Sequence, residues 1–181
     1  MDWKDLASTA VYAGIITENE SIWKRVDEVD VEFIGAFLTA HLSLEKYISD
    51  YLRLKYPSLS WDDAKLTFSQ KIALIQNEPA KAPYDQIYLR IKDFNSIRNK
   101  IGHELNYRIT DKEKNKFVDF YVKITKSSQN KPEIDFNNLA DLLHFFVMVT
   151  KSYFASLISH YHYDKIGHKK TLINESRSRV R

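Results

Sequence analysis

The chain has 181 residues, 44% of them hydrophobic and 28% charged, with a formal net charge of +3. That suits one globular domain with a real core and is short for two. The absence of cysteine excludes a disulfide framework and a thiolate metal site. Four glycines and four prolines favour long helices over a turn-rich β fold.

The N-terminus, Met1-Asp2-Trp3-Lys4-Asp5, lacks a basic region followed by an apolar run, so no signal peptide is expected. No stretch reads as a membrane span of about 18 apolar residues. A cytoplasmic protein without a membrane partner is expected.

In chain order, Thr17-Glu18-Asn19-Glu20 is the first break, and no convincing alternating strand stands out anywhere. The best helix runs from about Asp30 to Lys55. Ile34, Leu38, His41, Glu45, Ile48 and Leu52 form one stripe, and Phe33, Phe37, Ala40, Leu44, Tyr47 and Tyr51 a second beside it. Two seam positions, His41 and Glu45, are polar. Breaks at 56–60, 77–83 and 127–132 each contain proline. A short helix over Leu66–Gln76 lies between the first two of these.

The next helix, about Tyr84 to Ile101, places Ile87, Ile91, Phe94, Arg98 and Ile101 on one stripe. Another follows from about Asp111 to Lys126, with Asp111 as its N-cap and Phe117, Phe120, Tyr121 and Ile124 inward. The last, about Phe136 to His162, is apolar almost all round at 142–149 and belongs in the core or at a subunit interface. The expectation is an all-α, antiparallel bundle of about five to six helices. It would occupy residues 1–164 and be followed by a flexible basic tail at 165–181. That tail carries six basic residues against one acidic, a net +5, leaving −2 on the rest. A tail of this kind is either a solvated, frayed end or an arm with sequence-blind affinity for nucleic acid.

Arg98-Asn99-Lys100-Ile101-Gly102-His103 is the candidate site. Arginine's planar fork suits phosphate oxygens, and histidine can give and take protons near neutral pH. On an unbroken helix the two diverge by about 140°. A left-handed Gly102 would end the helix and let His103 fold back. Arg98, placed on a core stripe, needs a partner, for which Glu45 is the candidate; Asn99 is placed to bind a phosphate oxygen or orient His103. The residues alone equally fit a packing salt bridge, an ordinary helix end and a histidine placed favourably at that end.

Arg98-Asn99-x-x-x-His103 resembles the Arg-Asn-x-x-x-His signature of HEPN domains, an all-helical family common in bacterial toxin–antitoxin and phage-defence systems. The resemblance extends over about residues 33–105. Residues 40–48 resemble the family's early core helix, 66–72 its middle helix, and 91–97 the approach to the motif. It implies a bundle that often dimerises about a two-fold axis, with the motifs of both subunits meeting in a cleft. It also implies metal-independent RNA cleavage in many members, and binding alone in others. Arg98 and His103 match the defining positions and Asn99 the frequent polar one. Glu45 and His41 lie where members often carry an extra polar residue. RNA, a second copy of the chain and an antitoxin protein are the partners this implies.

No cofactor is expected, because no Gly-rich phosphate loop is present. No metal site is expected either: His160, His162 and His168 have no acidic cluster beside them, and an i, i+2 pair diverges on a helix.

Overall fold

A computed structural model of the chain describes residues 12–16, 21–25, 30–104 and 107–178, with side chains described at 30, 32–104 and 107–163. Strand β1 (Tyr12–Ile16) pairs antiparallel with β2 (Ser21–Arg25), Tyr12 opposite Arg25 and Ile16 opposite Ser21. The expectation of no strand is corrected here. Tyr-Ala-Gly-Ile-Ile is a short run without polar alternation, so periodicity alone could not reveal it. The expected break at 17–20 falls between the two strands, outside the described residues.

Six helices follow among the described residues: α1 (Val31–Lys55), α2 (Trp61–Ala64), α3 (Phe68–Ile75), α4 (Ile87–His103), α5 (Asp111–Thr125) and α6 (Leu139–Ser178). They form the expected all-α bundle. Local chemistry sets their ends. Asp30 caps α1 by accepting from the Phe33 amide at 2.9 Å, and α1 ends just before Pro57. Thr67 and Gln70 form a capping box on α3. Thr110 and Glu113 do the same on α5, so Thr110 is the N-cap and Asp111 the first helical residue, a correction of one position. The single turn of α2 was missed by periodicity because four residues cannot show a period.

Phe94 of α4 is fully buried and sits 4.5 Å from Phe37 of α1 and 5.3 Å from Phe146 of α6, ring centre to ring centre. Phe117 and Phe120 of α5 meet Phe146 edge-on, the geometry that ring quadrupoles favour. Contacts between Phe37 and Phe94 at one end, and from Tyr51 and Tyr88 to Phe154 at the other, run α4 opposite to α1. Lys100–Glu113 and Asp93–Lys116 likewise run it opposite to α5.

Forty residues make α6 about 60 Å long. Its backbone stays helical through Ser178, across most of the segment expected as a tail. Leu139–Tyr163 is long and apolar enough, by composition, to cross a membrane, with a mean hydropathy of 1.4. The expectation that no stretch has that length and character is thereby corrected. Leu142, Leu143, Phe146, Val147, Thr150 and Phe154 are buried within the bundle along one face, whereas Met148 and Tyr163 are exposed.

Candidate functional site

Helix α4 carries the motif on its last two turns. Phe94, Ile97 and Ile101 are buried, a step of three and then four that continues the seam begun by Ile87 and Ile91. Period alone allows either 97 or 98 to follow 94. The apolar Ile97 takes the inward place, and Arg98 turns about 100° away into solvent. Arg98 is therefore exposed, which corrects the expectation of a buried cation.

The expected partner goes elsewhere as well. Glu45 Oε1 receives Lys71 Nζ of α3 at 2.6 Å. Arg98 instead reaches along its own helix. Its Nη1 makes a long contact, 3.5 Å, with Asn99 Oδ1, and it would lie 3.7 Å from a Cβ added at Gly102. The missing side chain at 102 leaves the guanidinium a smooth surface to rest on. Gly102 itself is helical, with no positive φ at any described glycine, so the left-handed exit is corrected too. Helix α4 runs on through His103, and Glu104 caps it in extended conformation, its amide bonded to Lys100 O at 2.8 Å. His103 and Asn99 are exposed.

His41 lies beneath this surface, 4% exposed. Its Nε2–H donates to Asn95 Oδ1 at 3.1 Å, and Asn95 Nδ2 donates to Ser69 Oγ at 3.0 Å. The ring packs on Phe68 and Phe94. Burial lowers the His41 pKa. The Asn95 bond and Glu45 oppose that shift, and Arg98 adds to it. His41, Glu45 and Arg98 thus share one electrostatic neighbourhood, although Glu45 and Arg98 are not paired. Asn95, which ties α1, α3 and α4 together one turn before Arg98, was overlooked in the sequence. A lone amide between apolar seam residues was its only signal.

A second clamp holds the motif from the other side. Lys100, inside the motif, donates to Glu113 Oε1 of α5 at 2.8 Å and lies 5.2 Å from the centre of the Tyr107 ring. Tyr107 Oη donates to Glu113 Oε2, which also accepts from the Thr110 amide at 3.0 Å. Burial would raise the Glu113 pKa, but the bonds from Lys100, Tyr107 and Thr110 outweigh it and hold it down to about 2. The clamp ties the end of α4 to the start of α5. Thr110-x-x-Glu113, which the choice of Asp111 as N-cap passed over, is the spacing that could have found it.

His160 and His162 are exposed, and no group of three or more His, Cys, Asp or Glu side chains gathers among the described residues. No protein-family model, curated protein or solved structure matches this chain.

Proposed function

We propose that this chain is a metal-independent endoribonuclease of the HEPN type, working as a homodimer in the cytoplasm as a toxin or defence protein. The observation that carries this reading is the exposed Arg98. It bonds only to a neutral amide among the described residues, and it lies over the bare Gly102 on the helix that ends in an exposed His103. An exposed arginine without a carboxylate is free to take a phosphate bidentately.

Because α4 stays helical, Arg98 and His103 of one chain point about 140° apart. Two copies about a two-fold axis would supply two of each to one cleft. The reaction needs that number of histidines. A neutral His103 accepts the proton of the RNA 2′-hydroxyl as its oxygen bonds to phosphorus. A protonated His103 of the partner subunit donates to the 5′-oxygen as the P–O5′ bond breaks. The two Arg98 side chains stabilise the charge gathering on the phosphoryl oxygens. Products are a 2′,3′-cyclic phosphate and a 5′-hydroxyl.

The test is purified protein with mixed RNA in EDTA, beside Arg98→Ala and His103→Ala. The expected outcome is cleavage to cyclic-phosphate ends by the parent, with each variant slower by about 10²-fold or more. Cleavage surviving His103→Ala overturns the reading. A folded parent that binds RNA and cuts nothing would make the chain a non-catalytic dimerisation module binding RNA or a partner protein.

A further inference from the structure

The flank of α4 that faces α3 holds an open cavity of about 410 Å³. Ser69 and Gln76 of the α3 side, with Lys92, Asn95, Ser96 and Asn99 of α4, supply its polar lining, and no carboxylate lines it. Asn95 gives both of its amide groups to His41 and Ser69, whereas the Gln76 and Asn99 amide nitrogens make no bond among the described residues and are left to donate to the acceptors of a nucleobase edge. Lys92 Nζ donates to Gln76 Oε1, a neutral oxygen, so its charge is left for an anion. Asn99, which lines the cavity, also touches Arg98. The groove and the candidate phosphate binder are therefore one continuous surface.

We propose that this groove binds the nucleotide flanking the cleaved phosphodiester in single-stranded RNA. The amide nitrogens of Gln76 and Asn99 face the base and Lys92 faces the neighbouring phosphate. The proposal rests on the ribonuclease reading and deepens it by naming Gln76, Lys92, Ser96 and Asn99 as a subsite for the flanking nucleotide. A duplex would keep its base edges paired and its deep major groove closed to these short side chains. Asn95 holds His41 and Ser69, so the floor of the groove is fixed before any ligand arrives.

The probe is a short fluorescent RNA of mixed sequence with 2′-O-methyl groups, which cannot form a cyclic phosphate, read by fluorescence anisotropy. Ser96→Glu, which places a carboxylate in the groove, is expected to weaken binding about tenfold. Lys92→Gln is expected to weaken it about threefold and to make the salt dependence shallower by about 0.7 in log–log slope, one phosphate contact on a single strand. Lys131→Gln, the same charge change at an exposed site in the loop after α5, is expected to stay within about twofold of the parent. Circular dichroism on every variant confirms the fold.

Equal affinity of the parent, Ser96→Glu and Lys92→Gln overturns the groove, as does no binding by the parent. Equal affinity for the same sequence as a duplex overturns the single-strand assignment. Cleavable RNA separates the two readings. Groove variants that cut at the parental kcat/KM discard the groove alone, whereas activity surviving His103→Ala overturns the His103 chemistry, and the anisotropy of the groove variants still decides the groove.

Discussion

The two flanks of α4 are built on opposite principles. Towards α5, every cation described in contact with α4 meets a carboxylate. Arg90 and Lys116 share Asp93, at 3.2 and 2.5 Å, and Lys100 meets Glu113 at 2.8 Å. Just before the helix begins, Lys123 meets Asp85 at 2.6 Å. Towards α3, Lys92 and Asn95 bond to Gln76 and Ser69, and no carboxylate intervenes. Charge is spent on holding the helix on one flank and left uncompensated on the other. A helix anchored in this way keeps its position through the ion pairs on the α5 side, independently of the cation on its other flank.

That contrast can be broken first at Asp93. Arg90 is 8% exposed, so Asp93→Ala strands a nearly buried guanidinium and should cost about 3 kcal/mol in chemical denaturation. Lys92→Gln on the other flank should change stability by less than about 0.5 kcal/mol. Equal losses would erase the distinction between anchoring and presenting sides.

Glu113 sharpens the same comparison through pH. Its folded pKa of about 2 lies below the ordinary 4.5, so its stabilisation is complete above about pH 4.5 and is lost as pH falls towards 2. At neutral pH Glu113→Gln should cost about 2 kcal/mol. The parent and variant stability curves should converge on acidification; parallel curves would refute the clamp.

His41 gives a smaller effect on the flank facing α3. Its pKa is lowered by burial, so the unfolded chain takes the proton more readily and stability falls as pH drops below about 6.5. His41→Gln should flatten that slope. Removing the nearby cation in Arg98→Ala should move the His41 titration upward by NMR; an unmoved titration would place Arg98 outside its field.

The smallest expected change is a gain. Gly102 is helical, and a Cβ there meets Arg98 only at ordinary contact distance. Gly102→Ala should therefore add about 0.5–1 kcal/mol in thermal unfolding. A loss would restore the left-handed turn that its sequence position suggests.

How much was legible follows from the range of each signal. Sequence by itself determined five of the six helices among the described residues, since a period of 3.6 residues repeats often enough over 31–55 or 87–103 to be read, and proline marks several of the ends. It also singled out Arg98, Asn99 and His103 by residue type and spacing. Neighbouring stripes on one helix differ by a single residue, however, and the sequence could not choose between Ile97 and Arg98 for the inward place. Only packing against Phe37 and Phe146 around Phe94 decided that, and so turned Arg98 outward. Pairings across the chain were equally out of reach. Glu45 found Lys71 and not Arg98, and Lys100 found Glu113. Which charges meet depends on how helices lie side by side, and that is settled by burial of the apolar seams rather than by the charges themselves.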